Sequence, residues 1–209
     1  MSELRTDWVM PILVDKTGTH ELTVEAAARA CVLAWARRTA DQQAAFDAWL
    51  SGPFTKSVRR ASAAHLDRAV AELGGHEVRW GGSRGVALAP MRMVDLPKLV
   101  AKAQVASTDL ERTRPAPAPV AGVSVTVLET LTTGKAAAQA AHALLGWALE
   151  ADGSAVERVL GVSTGLHLAF TGPGHLRLLA ARPGAVAIRD NGLTEVTPGT
   201  LTAVAIPTA

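Results

Sequence analysis

The chain of 209 residues holds a single cysteine, Cys31, so no intrachain disulfide can form. It has no run of about 18 uninterrupted apolar residues, the length that a membrane-spanning helix needs. Residues 1–7 are polar and only a short apolar run follows, a pattern that does not fit a secretory leader. The expectation is a cytoplasmic protein with no membrane partner. Excess charge of one sign is also lacking: 21 Lys and Arg stand against 19 Asp and Glu, a net charge of +2. Nucleic-acid binding would then require local clusters of cations. Arg37 with Arg38, Lys56 with Arg59 and Arg60, and Arg79 with Arg84 are the candidates. Solvated helix ends and strand edges are the competing reading of each. Neither an HExxH pair nor a Cys/His ligand spacing occurs, so neither a metal site nor another cofactor is expected. Two catalytic motifs fail on their residues. A phosphate-binding loop ending at Lys135 would need glycine at Glu129 and Ser or Thr at Ala136. Gly161-Val162-Ser163-Thr164-Gly165 matches G-x-S-x-G, but a strand is expected to follow rather than a helix and no histidine follows Asp190.

What is present is a globular composition, 48% hydrophobic and 19% charged. The clearest boundary is Thr113-Arg114-Pro115-Ala116-Pro117-Ala118-Pro119, whose alternating prolines favour an extended segment. On either side the chain looks alike. Strands are expected over 9–14 and 123–128. Each leads to an alanine-rich helix, and Thr23 to Trp35 aligns with Lys135 to Trp147 without a gap. Strand, helix and a closing strand pair follow over 57–61, 63–73, 77–80 and 86–91 in the first half. Their counterparts lie at 166–170, 175–181, 185–189 and 201–206, with Pro90 opposite Pro198. A further helix is expected over 95–105, packed on the first half. The pattern predicts an α/β protein of two tandem units (1–112 and 123–209, joined by a linker at 113–122), each a small mixed β-sheet with helices on both faces.

The helix that begins near Gly134 carries Lys135, Gln139 and His142 on one stripe, with Gly146 extending it. Ala137, Ala138, Ala141, Leu144, Leu145 and Ala148 occupy the other faces, so the stripe should meet solvent or a ligand. Thr132 or Thr133 could cap the first turn. Free N–H groups there, with the Lys135 ammonium, would favour an anion. Cys31, inside an apolar helical pattern, reads as a packed thiol.

Two segments of the second half resemble signatures of the archaeal and eukaryotic class of peptidyl-tRNA hydrolases, the Pth2 family. The first comprises Gly134, Lys135, Ala137, Ala138, Gln139, His142 and Ala143. The second comprises Asp190, Gly192, Thr194, Glu195, Pro198 and Gly199, followed by a closing strand. The resemblance implies an esterase that cleaves the bond between a peptide and the 3′ ribose of tRNA. It implies Lys135, Asp190 and Thr194 as catalytic residues. Gln139, His142, Thr133, Gly134 and Lys56 would line the substrate site. Peptidyl-tRNA or another acyl ester would be the partner. Family members pair, so a fused duplicate is expected to form an internal pseudo-dimer, monomeric or weakly dimeric. The chain departs from the family at Leu193, where an arginine is usual, and over 129–133 and 166–170, where basic residues are missing. In the first half Thr23, Ala27 and Ala30 stand in place of Lys135, Gln139 and His142. Gly82 and Val86 are expected opposite Asp190 and Thr194. That half, although Trp49, Gly52 and Lys56 still match a family segment, reads as a copy without its own site. The alternative is a non-catalytic binding or scaffold protein with the same fold.

Overall fold

A computed structural model describes residues 7–105, 108–113, 122–161, 165–192 and 195–208. It is α/β, with two mixed sheets and helices. The first half runs β1 (Trp8–Val14), α1 (His20–Ala36), α2 (Gln43–Leu50), β2 (Lys56–Arg60), α3 (Ala63–Leu73), β3 (His76–Trp80), β4 (Ser83–Ala87), β5 (Met91–Arg92) and α4 (Lys98–Ala101). The second runs β6 (Val123–Leu128), α5 (Thr133–Ala148), α6 (Gly153–Gly161), β7 (Leu166–Thr171), α7 (Pro173–Ala180), β8 (Val186–Arg189) and β9 (Leu201–Pro207). The sheets have the same topology. One is ordered β2-β1-β4-β3, with β5 appended to β1, and the other β7-β6-β9-β8. In each the first pair is parallel and the other two are antiparallel.

The alternation of apolar residues explains the layers. Met10, Ile12 and Val14 of β1 join a core cluster that continues through Val123, Val125 and Val127 of β6 into both halves. Leu13 points the other way, into a second cluster with Leu66, Ala69 and Val100 of α3 and α4. Helices α1 and α5 are nearly all alanine and small apolar residues on their inner faces, which lets their axes approach closely. They form the most extensive contact between any two elements. These matched helices therefore make the seam between the halves.

Several expectations shift. The closing strand of the first half lies at Ser83–Ala87, not 86–91. The short β5 and a 3-10 turn at Met93–Asp95 take up the residues that follow. Gly85 hides this strand from a propensity reading. A Cβ there would come within 2.8 Å of the Ala26 backbone, so glycine is needed for α1 to lie on the strand. Strand pairing also corrects the alignment of the halves. Val14 pairs with Gly85 and Val127 with Ala203, which places β4 opposite β9. Gly81 and Gly82 are the two-residue turn between β3 and β4. Their counterpart is the whole connection from Asp190 to Thr200. Pro90 is thus not opposite Pro198, and the first half has no loop in which residues equivalent to Asp190 or Thr194 could stand. The expected helix over 95–105 is only Lys98–Ala101, although Val100 and Ala103 do pack on the first half. Helices α2 and α6 were not expected from the periodicity. Most of the proposed linker, at 114–121, lies outside the described residues.

Candidate functional site

Lys135 stands in the first turn of α5, with Gln139 one turn and His142 two turns further on. Asp190 follows the last residue of β8, where the pairing with β9 shifts register. Two backbone bonds hold the neck of its loop: the Asp190 N–H donates to Thr200 O at 2.9 Å and the Gly199 N–H to Asp190 O at 2.7 Å. The Gly192 N–H donates to Asp190 Oδ1 at 2.7 Å, closing an Asx turn. Gly192 has φ +75°, and a Cβ would meet the Pro198 ring at 2.5 Å, so no other residue fits this turn unstrained.

The other carboxylate oxygen is shared. Lys135 Nζ lies 2.6 Å from Asp190 Oδ2, and the two side chains are only 12% and 7% exposed. Gln139 Nε2 donates to the same oxygen at 2.8 Å. Thr202 of β9, fully buried, donates to Gln139 Oε1 at 2.7 Å. That bond turns the amide nitrogen toward Asp190. Thr202 belongs to the site and the sequence reading missed it; its position two residues into β9, facing α5, is visible only once the strand register is known.

These groups line a cleft of about 880 Å³ between the halves. Lys135, Gln139, His142, Gly134, Asp190 and Lys56 all contribute to its wall, so the stripe faces an open space. Thr194 lies outside the described residues. Thr133 is not in the cleft: it is fully buried, and its hydroxyl accepts from the Leu110 N–H at 2.9 Å and lies 2.9 Å from His20 Nδ1. The helix N-terminus is also occupied. Neither threonine hydroxyl caps it. Thr132 gives both its N–H and its hydroxyl to the carboxylate of Glu195, and the Gly134 N–H donates to Thr108 O at 3.0 Å. An anion is present there already, and it belongs to the protein. Gly146 serves packing, since a Cβ would come within 2.7 Å of Val186.

Lys56 reaches the cleft from β2 of the first half. Its Nζ donates to Phe54 O at 3.0 Å and lies 3.2 Å from His142 Nδ1, over the rings of Phe54 and Trp49 at 4.3 and 4.7 Å. Burial lowers the Lys56 amine from its ordinary 10.5 to about 7. Burial first, then the charges of Lys56 and Lys135, hold His142 well below the usual imidazole range. The other cation clusters are engaged locally. Arg59 is buried and donates to Ser57 Oγ and Val100 O. Arg60 bonds Gln104, Arg37 pairs with Glu157 across the seam, Arg38 bonds Trp35 O and Gln43, and Arg79 and Arg84 share Glu77. Arg59 and Arg60 therefore do not join Lys56 as a cationic surface. Cys31 is packed as expected, and burial pushes its thiol up to about 11. Ser163 lies outside the described residues.

No protein-family model matches the chain, and no curated protein matches it in sequence. The chemical reading therefore rests on the cleft: an ammonium and a carboxylate in contact, held by an amide and a strand hydroxyl, beside an amine and an imidazole from opposite halves.

Proposed function

We propose that the chain is a fused pair of Pth2-like units and that its cleft hydrolyses an acyl ester, with peptidyl-tRNA as the leading substrate. The observation that carries this reading is the contact of Lys135 with Asp190 at 2.6 Å in the wall of the cleft. The two residues are 55 positions apart in sequence and come from the two segments that resemble the family. In the proposed reaction Asp190 accepts a proton from water as that water attacks the ester carbonyl. Lys135 offsets the negative charge that develops on the tetrahedral intermediate. Gln139, fixed by Thr202, keeps the carboxylate aimed, and Thr194 orients the water or the ribose. The first half supplies one wall of the cleft, including Lys56, and has no catalytic loop of its own.

One observation favours the alternative, a binding module without catalysis. The cleft wall offers Lys135 and Arg189 as cations, with Lys56 only partly charged, against Asp190 and Glu195 as anions. So even a balance gives few phosphate contacts, and each missing contact weakens the grip on a nucleic-acid backbone.

The purified protein incubated with peptidyl-tRNA is expected to release free peptide, and with a simple acyl ester in parallel to release acid. Asp190→Ala and Lys135→Ala should each reduce the rate by about a hundredfold or more, a typical loss for a general base or a charge-stabilising group. Equal release by wild type and both variants would remove the proposed site. Tight binding of peptidyl-tRNA without release would establish the binding alternative.

A further inference from the structure

The ester reaction leaves Lys56 and His142 without a chemical task, although both face the same cleft. Their placement is unusual for a lysine. Lys56 is 7% exposed, and among the described residues no carboxylate forms an ion pair with it. The acids of the cleft are engaged elsewhere, Asp190 by Lys135 and Gln139 and Glu195 by Thr132. The groups that face its amine are the Phe54 carbonyl from its own segment, the Trp49 ring from α2, the Cys31 thiol from α1 and His142 from α5. Lys135, also on α5, adds positive charge to the same region. Nothing here gives a proton on Nζ a strong anionic partner.

We propose that Lys56 is a nucleophilic amine that captures an aldehyde or ketone bearing an apolar substituent, as an imine, with His142 moving the protons. The lone pair of Nζ attacks the carbonyl carbon and a C–N bond forms. The carbonyl oxygen takes up a proton and Nζ gives one up, leaving a carbinolamine. The C–O bond then breaks, water departs with the second proton, and the C=N bond forms. Amine and carbonyl become imine and water, with no oxidant or reductant required. His142 Nδ1, 3.2 Å from Nζ, is placed to accept the proton that nitrogen sheds and to return it to the departing hydroxyl.

Three features support the assignment besides the geometry. Burial lowers the amine to about 7, so a large share is unprotonated at neutral pH, the condition under which a desolvated lysine becomes a nucleophile. The faces of Phe54 and Trp49 can stabilise the cationic iminium that forms as the C–O bond breaks, before Nζ gives up its second proton. Val9, Pro53, Met93 and Val105 give the cleft an apolar side that suits an aliphatic or aryl tail.

The first arm of the test needs no variant. The full chain is incubated with butanal and cyanoborohydride, which reduces any imine to a stable secondary amine, at several pH values, with glyoxylate as a polar comparison. Peptide mapping then compares Lys56 with the exposed Lys16, Lys98 and Lys102. Near pH 7.5, Lys56 should be alkylated at least about tenfold faster than these, because its larger unprotonated fraction outweighs the weaker nucleophilicity of a less basic amine. Its rate should have a midpoint near 7 and should be greater with butanal than with glyoxylate. His142→Gln should slow the capture at Lys56 while the exposed lysines are unchanged. Absence of an adduct at Lys56, a rate no greater than that of the exposed lysines, or a midpoint near 10 would overturn the proposal. The readout is independent of ester hydrolysis, so failure of either reading leaves the other standing.

Discussion

At the scale of single residues, the site depends on how one carboxylate is filled. Asp190 receives Lys135 and Gln139 on one oxygen and the Gly192 N–H on the other. Removing the acid leaves an ammonium with little exposure and an amide without their acceptor. Breaking a buried pair from one side costs more than the pair itself contributes, because a lone charge remains. Asp190→Ala is therefore expected to destabilise the fold by about 3 kcal/mol in urea unfolding, and Lys135→Met by a comparable amount. The double variant should cost clearly less than the sum of the two, a coupling of about 1 kcal/mol or more. Additive losses would mean that the contact is not formed in solution. Much of this arrangement was legible beforehand, for a physical reason. Lys135, Gln139 and His142 are set on one stripe by helical spacing, whereas Asp190 was assigned through the resemblance to the Pth2 family. Thr202 and Glu195 were not assigned to the site. A hydroxyl that orients an amide across two elements, and a carboxylate that binds a helix end 63 positions away, leave no periodic trace.

At the scale of elements, the asymmetry between the halves comes down to a connection. The strands on both sides match, yet β3 and β4 are joined by Gly81 and Gly82, while the segment from Asp190 to Thr200 joins β8 to β9. The tighter turn in one half and the longer loop in the other leave the sheet unchanged, because a hairpin connection can lengthen without disturbing its strands. This difference was obscured in the sequence by the ungapped match of α1 with α5. That match encouraged a fixed register, which then failed at Pro90 and at Gly82. The long loop depends on Gly192. Gly192→Ala combines a positive φ with a 2.5 Å approach to Pro198. It is expected to cost about 1–3 kcal/mol and to displace the Asx turn that holds Asp190. Ester hydrolysis should fall by about tenfold or more, since an angstrom of misplacement is enough for such a loss, while the far-ultraviolet circular dichroism stays that of the wild type. An unchanged rate would show that the turn does not position the carboxylate.

At the scale of the whole molecule, the halves are joined through buried imidazoles as well as through alanine faces. His20, at the start of α1, lies fully buried beside Phe170 of β7, with Nδ1 at 2.9 Å from Thr133 Oγ1 of α5. The Thr133 hydroxyl itself points to Asp109 Oδ1, so Nδ1 carries the hydrogen and Nε2 is the bare nitrogen. Nε2 has no hydrogen-bond partner among the described residues, and a proton added there would be buried without an acceptor. Burial, assisted by the charge of Arg112, lowers His20 from 6.5 to about 4, and His142 on the other side of the seam is held down in the same direction. Both folded-state values lie below the unfolded one. Between about 4 and 6.5 the unfolded chain therefore binds more protons than the folded chain, and stability falls as pH falls through that window. For His20 the loss is on the order of 3 kcal/mol and is complete below about 4. Urea unfolding followed from pH 7 to pH 4 should show this decline, and His20→Leu, which leaves no nitrogen to protonate, should flatten it in part. A profile with the same slope in wild type and His20→Leu would mean that the acid sensitivity of the molecule arises away from the seam.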